Sequence, residues 1–416
     1  MRQSVTEEST PTEPTPTCDR PPGREFEMLS LCARTVVDSQ TSEKIRTHIE
    51  RGIDWEFLIG SAHQHRVLPL VYRTLASAFA NLVPKAAMDH FRGAYSKNAK
   101  RNLFLTAELL KIVDLFQANN ISIIPYKGPV LAASVYGEVS LRQFGDLDVL
   151  VQRSAAERAK DLLISRGYKV KSEIGSEDFA AYMQHEKDLI LSSDDGSVYL
   201  ELHWAINSQQ SPIQVRENVL WENLRSYPIG GRQVSIHTAE DLLLILCIHG
   251  AKHQWEHLGW LCDIAEIIRA HRDLNWSKLI ERATALQGRR ILFLGLTLAK
   301  TLLGAELPSN VVKTIEADSV VRELAERVKG WVSGENVALV GERERYYMAL
   351  RERPTDKARV ALNQMKHYLT PTMRDREALP LRGPLSIVLY LVRPFRLMWE
   401  YGLGPFWQFF RGTFER

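Results

Sequence analysis

An apolar strand that opens on two acids, DLDVLV over Asp146–Val151, constrains the fold of this chain more than any other segment. Residues two apart in a strand project to the same face, so Asp146 and Asp148 lie side by side while Leu147 points into the sheet. Two neighbouring carboxylates repel each other unless a proton or a cation lies between them, and Mg²⁺ prefers carboxylate oxygens. The segment therefore predicts either a divalent-metal site or two solvated acids at a strand end.

A strand, a glycine turn and a short helix precede the two acids. The β-branched run at residues 121–126 predicts the strand, and residues 130–136 predict the helix. Between them, Gly128 permits close backbone approach, and Pro129 is tolerated at a helix start. A helix N-terminus after a glycine turn favours an anion, and Lys127 adds a positive charge. The segment predicts a phosphate site, although such junctions also occur without one.

A third carboxylate lies on a later strand of the same α/β unit. Three further strands are predicted, at residues 168–170, 185–192 and 197–204, the last two joined by an Asp-Gly turn. On the last strand, Leu200 and Leu202 face one way, whereas Glu201 and His203 face the other. Glu201 is either a partner of the Asp-x-Asp pair or an exposed acid on a solvent-facing strand.

Helical periodicity flanks this unit on both sides. We predict an α+β fold in which a small mixed sheet over residues 119–237 lies between an N-terminal helical subdomain, residues 25–118, and a C-terminal one, residues 238–345. Residues 1–24 are rich in Pro, Thr and Glu and predict a disordered tail. Residues 346–416 are first charged and then aromatic-rich, and that last stretch is expected to contact a membrane surface, a partner protein or the helical core.

A helix predicted to run to about residue 270 carries three histidines, His249, His253 and His257, at a spacing of four on one face. A metal stripe is one interpretation, but no segment rich in further ligands accompanies it. We expect instead that Lys252 and His253 face the α/β unit and donate to a phosphate. The alternative is that the histidines pack between the subdomains.

Composition excludes few classes of protein, but it bears on the expected partners and on the expected cellular location. The formal net charge of the 416 residues is +3, so nothing global indicates a nucleic-acid partner. The four cysteines have no CxxC spacing, and neither a signal-peptide pattern nor a bilayer-spanning apolar run is evident. We expect a cytoplasmic protein, with a membrane-peripheral position as the alternative.

Four segments together carry a resemblance: YKGPVLAASVYG, LRQFGDLDVLV, LELHW and HGAKHQWEHLGWLCDI, within residues 121–270. In their order and spacing the chain resembles the polymerase-β-like nucleotidyltransferase superfamily. More closely, it resembles a bacterial nucleotidyltransferase family often encoded near exopolysaccharide or peptide-modification genes. By position, Gly128 stands for the superfamily glycine, Asp146 and Asp148 for the metal-binding pair, and Glu201 for the third acid. Pro129 stands where the superfamily has a serine.

The resemblance implies a magnesium-dependent transfer, with Mn²⁺ as the alternative metal, held by Asp146, Asp148 and Glu201. Attack on the α-phosphorus of a nucleoside triphosphate such as ATP would release pyrophosphate, and Glu201 would be a metal ligand or the base. The residues expected to bind the nucleotide or its phosphates are Lys127, Gly128, Arg142, His203, Lys252 and His253. The expected acceptor is a small molecule, a sugar phosphate or a peptide rather than a long nucleic acid.

Two other functions fit part of the pattern. A metal-dependent glycosyltransferase also uses an Asp-x-Asp pair, but it predicts an upstream α/β nucleotide-binding domain, and the residues before 121 read as helices. A non-catalytic nucleotide-binding or scaffold protein of the same fold would account for Pro129 in place of the serine.

Overall fold

The structure is a computed structural model that describes residues 23–172, 179–207, 215–336 and 340–358. The chain divides into two compact units, and the unit spanning Cys18–Val337 contains every helix and strand below except the last helix, Val340–Leu350. Residues 1–22 of the predicted disordered tail lie outside the described residues. So does the aromatic-rich C-terminal stretch with its expected membrane or partner contact. Within the described residues, no helix is both long and apolar enough to cross a membrane.

The N-terminal part consists of helices. They are α1 Arg24–Cys32, α2 Ser39–Glu50, α3 Trp55–Gln64, α4 Leu68–Ala78 and α5 Lys85–Ala118. Asp38 and Asp54 cap α2 and α3, because their side chains accept hydrogen bonds from free backbone N–H groups of the first turn. The described residues 23–122 contain no strand, so this part of the chain does not form the α/β domain that a glycosyltransferase would place there.

A five-stranded mixed sheet follows, in the order β1-β2-β5-β4-β3. Its strands are β1 Ile123–Pro125, β2 Asp146–Val151, β3 Tyr168–Val170, β4 Asp188–Ser193 and β5 Tyr199–His203. Strands β2 and β5 pair in parallel, and the other pairs are antiparallel. Together with the helical flanks, the sheet confirms the predicted α+β class.

One face of the sheet forms the core. Leu147 and Val149 of β2 and Leu200 and Leu202 of β5 are fully buried and belong to one apolar cluster with the second half of α5. Because side chains alternate along a strand, Asp148, Glu201 and His203 occupy the opposite face. The helices and the hairpin strands around the sheet are α6 Gly128–Tyr136, α7 Ala156–Ser165, α8 Phe179–His185, α9 Glu217–Trp221, β6 Arg225–Ile229 and β7 Arg232–Ile236.

The C-terminal part is again helical. Its helices are α10 Ala239–Lys252, α11 Leu258–Ala270, α12 Trp276–Ala285, α13 Arg289–Leu303, α14 Ser309–Glu316 and α15 Ser319–Ser333. Thr238 caps α10, because its side chain accepts a hydrogen bond from the backbone N–H of Asp241. Helix α13 packs against α10, α11 and α15, and helix α11 also contacts α6.

The helical stretch predicted up to about residue 270 consists of two helices, because the chain turns between α10 and α11. Gln254 and Trp255 have φ angles of 54° and 61°. The N–H of Trp255 bonds the carbonyl of Gly250 at 2.9 Å, and that of Gln254 bonds Ala251 at 3.2 Å. This pair of bonds is a Schellman motif, in which the left-handed position usually belongs to glycine. Because glutamine occupies this position here, the glycine that usually marks such a helix end is missing. The three histidines therefore do not form a stripe along one helix.

Candidate active site

Two carboxylates and a histidine converge on the polar face of the sheet. The parallel register places Asp148 opposite Glu201, and His203 follows on the same face. The Nε2 atom of His203 lies 3.2 Å from Oδ1 of Asp148 and 3.1 Å from Oε2 of Glu201. Asp148 and His203 are buried, whereas the Glu201 side chain keeps 21% of its exposure. Within the described chain these three residues form a group whose ligand atoms lie within 4.8 Å of one another, close enough to hold a metal ion.

Lys127, directly before the glycine turn, neutralises part of this negative charge. Its Nζ atom lies 2.7 Å from Oδ1 of Asp148 and 5.3 Å from the ring centre of Tyr126. Burial alone would raise the pKa of Asp148, but the Lys127 charge and the hydrogen bond from His203 hold it well below its usual range. Conversely, Asp148 raises the pKa of Lys127 in spite of its burial. Asp148 is therefore ionised and paired at neutral pH.

Asp146, the other acid of the pair, lies at the start of β2 outside the tight group. Its pKa is raised to about 6, first by burial and then by repulsion from Asp148 and Glu201. The pKa of Glu201 is lowered, because the hydrogen bond from His203 and the nearby positive charges outweigh its burial. The two predicted acids of the Asp-x-Asp pair thus differ in their environment, and Asp146 is the one that gains most from an added cation.

The glycine turn brings the start of α6 against the start of β2. Gly128 has a φ of +55°, and a Cβ added there would lie 3.5 Å from the backbone oxygen of Asp146. The position therefore requires a residue that adopts the left-handed region without strain. Pro129 follows in the first helical turn and offers neither a hydroxyl nor an N–H. The Lys127 ammonium is the charged donor that this turn contributes.

Further positive groups surround the same space. The pKa of His253 is lowered to about 3, first by burial and then by the charges of Lys252, Lys127 and Lys187. The pKa of Lys187 is lowered to about 8, first by burial and then by the charge of Lys252. Lys252 and His253, both predicted from the sequence, are thus electrostatically coupled to the site. Lys187 was not predicted from the sequence. It belongs near the site because the next residue, Asp188, lies opposite His203 in the pairing of β4 with β5.

Arg142, predicted as a phosphate ligand, has a protein partner instead. Its Nε and Nη2 atoms donate to the two carboxylate oxygens of Asp263 on α11, at 2.8 and 2.9 Å. The hydroxyl of Tyr136 donates to the same carboxylate at 2.6 Å. A phosphate contact would have to use the N–H groups of the guanidinium that do not bond Asp263, so this role stays a prediction. The observed role of Arg142 is to tie α11 to the sheet unit.

The three histidines at the turn between α10 and α11 surround Trp260. The ring centres of His249, His253 and His257 lie 5.3, 5.1 and 4.8 Å from that of the indole. The pKa of His249 is lowered well below its usual range by burial, and burial lowers that of His257 to about 4. The three rings are therefore neutral and packed around an aromatic side chain.

Arg66, between α3 and α4, is a second residue that sequence reasoning missed. It is exposed, has a φ of 58°, and its positive charge opposes the raised pKa of Asp146. The preceding residue fixes this connection, because the carbonyl of His65 accepts a 2.9 Å bond from the N–H of Gly259. A Cβ at Gly259 would lie 3.1 Å from that carbonyl oxygen. No local motif marked Arg66, since its relation to Asp146 arises only from the docking of distant helices.

Comparisons with known proteins agree with this geometry at the level of the family. Neither the curated proteins nor the solved structures include a match to the chain. The profile of a family described as uncharacterised nucleotidyltransferase matches residues 51–304, which is more than half of the chain and includes every site residue above. The chain therefore belongs to this nucleotidyltransferase family, whose members are transferases of nucleotidyl groups.

Proposed function

We propose that the chain transfers a nucleoside monophosphate from a nucleoside triphosphate to a hydroxyl or phosphate of a small acceptor, in a reaction that depends on a divalent cation and releases pyrophosphate. The observation that carries the proposal is the convergence of Asp148, Glu201 and His203 beside the Lys127 turn. Carboxylates aimed at a space that positive side chains surround suit a triphosphate carried with a metal ion.

The donor set fits a divalent cation. Two ionised carboxylates and an imidazole nitrogen lie within 4.8 Å of one another, and Asp146 adds a carboxylate two residues before Asp148 on β2. Mg²⁺ takes the carboxylate oxygens, and Mn²⁺ takes both oxygen and imidazole nitrogen. Asp148 and Glu201 would hold the ion, with Asp146 joining once its proton is lost. Such a cation supplies charge neutralisation and polarises phosphoryl oxygens.

The surrounding cations would bind and orient the triphosphate. Lys127 at the α6 start, Lys187 at the β4 start and Lys252 at the end of α10 approach from three different elements. Because Pro129 cannot donate a hydrogen bond, the phosphate contact made elsewhere by a serine would pass to the Lys127 ammonium. In this role Lys127 would exchange its contact with Asp148 for one with a phosphate oxygen.

Glu201 is the group best placed to accept the proton of the acceptor. Its side chain retains 21% exposure, whereas that of Asp148 retains 3%, so an acceptor entering from solvent reaches Glu201 first. Its lowered pKa keeps it ionised at neutral pH. The pyrophosphate that leaves would carry its charge toward the lysines, with no proton required from the protein.

The test is transfer of label from the α-phosphate. The full chain is incubated with each of the four nucleoside triphosphates, labelled at the α- or the γ-position, with Mg²⁺ or Mn²⁺ and with pools of sugar phosphates or peptides. We expect α-label, and not γ-label, in a product that Asp148→Asn no longer forms. Asp89→Asn is the matched control, because Asp89 is an exposed acid of α5 that pairs with Arg92. Undiminished transfer by Asp148→Asn would refute the site, and triphosphate binding without transfer would indicate a non-catalytic binding protein.

A further inference from the structure

His203 is held between carboxylates on both of its ring nitrogens. Its Nε2 atom faces Asp148 and Glu201 at 3.2 and 3.1 Å, and its Nδ1 atom lies 3.4 Å from Oδ2 of Asp188. The ring keeps 2% of its exposure and meets the Tyr126 ring edge-to-face at 5.4 Å. The imidazole is therefore buried between carboxylates, and its Nδ1 atom makes no hydrogen bond at the 3.4 Å distance from Asp188.

We propose that His203 is a ligand of the metal in this site beside Asp148 and Glu201, and that Asp188 is the residue that positions His203. The inference deepens the proposed function, on which it rests for the need of a metal. A histidine that binds a metal through one ring nitrogen commonly donates the other N–H to a carboxylate, which fixes the tautomer and the ring orientation. Asp188 is the carboxylate that faces the other ring nitrogen, at 3.4 Å.

Hydrogen bonding alone satisfies this arrangement less well. A ring nitrogen carries at most one proton, yet Nε2 lies within 3.2 Å of carboxylate oxygens from two different residues. One proton shared between two ionised acids leaves much of their charge uncompensated. A divalent cation accepts electron pairs from Nε2 and from both carboxylates at once.

A nitrogen ligand determines which metals the site prefers. Mg²⁺ selects oxygen ligands, whereas first-row transition ions such as Mn²⁺ also accept imidazole, and their affinity rises along the series from Mn²⁺ to Cu²⁺. The site should therefore bind Mn²⁺ more tightly than Mg²⁺ in the absence of nucleotide. From the sequence we predicted a metal held by three acids, Asp146, Asp148 and Glu201; the structure adds the imidazole nitrogen of His203 to these carboxylates.

Mn²⁺ alone is the probe, with the full chain and no nucleotide. Titration followed by the electron paramagnetic resonance signal of free Mn²⁺ gives the affinity, and electron spin echo modulation reports coupling to an imidazole nitrogen. We expect that coupling in the wild-type chain, and we expect it to shift when the histidines are labelled with ¹⁵N. His203→Gln should abolish the coupling. Asp188→Asn should retain it while weakening Mn²⁺ binding by about 10- to 100-fold.

The matched control is His253→Gln, because His253 is the histidine next to the same cations and its loss should leave the coupling intact. Circular dichroism establishes that each variant is folded; if His203→Gln is not, the wild-type coupling and the Asp188→Asn affinity still decide. Absence of Mn²⁺ binding, absence of nitrogen coupling in the wild-type chain, or coupling that survives in His203→Gln would overturn the assignment.

These experiments distinguish a failure of the His203 ligand assignment from a failure of the proposed function. Mn²⁺ bound without nitrogen coupling, together with α-label transfer, would remove His203 from the ligand set and leave nucleotidyl transfer in place. Nitrogen-coupled Mn²⁺ without any transfer would do the reverse.

Discussion

Replacing Asp263 with asparagine should destabilise the protein far more than the loss of an ordinary ion pair. Asp263 lies on α11, keeps 1% of its exposure and accepts hydrogen bonds from Arg142 and from Tyr136. Asparagine retains the shape of the side chain but removes its charge. An amide NH2 group replaces one of the two carboxylate oxygens, and it cannot accept a hydrogen bond. The change therefore isolates the electrostatic part of the contact between α11 and the sheet unit.

The size of the destabilisation follows from the Arg142 charge, which stays buried without its partner after the substitution. The Arg142 side chain keeps 12% of its exposure, and Asp263 raises the pKa of its guanidinium against the opposing effect of burial. Removing one partner of a buried pair typically costs about 3–5 kcal/mol, because the other charge stays desolvated and uncompensated. An exposed pair of similar geometry contributes about 1 kcal/mol or less. Arg232 and Asp114 supply that comparison, since they also meet at 2.8 Å but with 47% of each side chain exposed.

The assay is urea unfolding followed by circular dichroism and tryptophan fluorescence. We expect Asp263→Asn to lower the free energy of unfolding by about 3–5 kcal/mol and Asp114→Asn to lower it by about 1 kcal/mol or less. Adding Arg142→Met to Asp263→Asn should recover part of the loss, because the orphaned cation is then gone. A cost below about 1 kcal/mol for Asp263→Asn, or strict additivity in the double variant, would refute this role of the pair.

Three further outcomes follow from the same structure. Because the pKa of Asp146 is raised to about 6 on folding, the folded state binds the proton more tightly than the unfolded state, so the metal-free protein should lose stability as pH rises from about 4 to 6. Asp146→Asn should then raise the free energy of unfolding at pH 7 by about 1–3 kcal/mol while weakening metal-nucleotide binding, and unchanged stability would contradict the repulsion. Arg66→Ala should weaken triphosphate binding measured by calorimetry by roughly tenfold, as expected for one charge-assisted contact, whereas Arg73→Ala, also exposed on the neighbouring helix, should not. Gly250→Ala should cost about 1–3 kcal/mol in urea unfolding, because the new methyl group would lie 2.2 Å from the Trp255 ring, whereas Gly60→Ala meets nothing within 4 Å and should not destabilise α3.

Local patterns predicted the elements that carry the acids. The bounds of β2 agree with the sequence prediction, because an uninterrupted apolar run has few alternatives to a buried strand. The alternation that placed Glu201 and His203 on one face of β5 was also correct, since Leu200 and Leu202 fill the other face. Helix α8 and strand β6 were missed, and β6 carries a proline that weakens any strand pattern.

Local sequence patterns did not predict which side chains pair with each other across the fold. Asp263 lies 121 residues from Arg142, and nothing in either segment marks the other. In the sequence, Arg142 lies close to two acids and has no evident partner, which favours a phosphate-binding role. The structure shows that its partner is a buried acid on a distant helix. Similarly, Asp188 was an unremarked residue at a strand start until the antiparallel register of β4 and β5 placed it against His203.

The acidic side chains of the site could be predicted from strand alternation, whereas its positive side chains come from several separate elements. The carboxylates belong to the sheet, where strand alternation is readable over a few positions, and the register of β2 and β5 then brings Asp148 and Glu201 together. The cations come from elements of different origin: Lys127 from the turn before α6, Lys187 from β4, Lys252 from α10 and Arg66 from the N-terminal helices. A triphosphate needs both sets at once, so the function proposed here depends on the docking of both helical parts onto the sheet. Substitutions that loosen that docking, such as Asp263→Asn, should therefore weaken nucleotide binding although they remove no group from the carboxylate cluster.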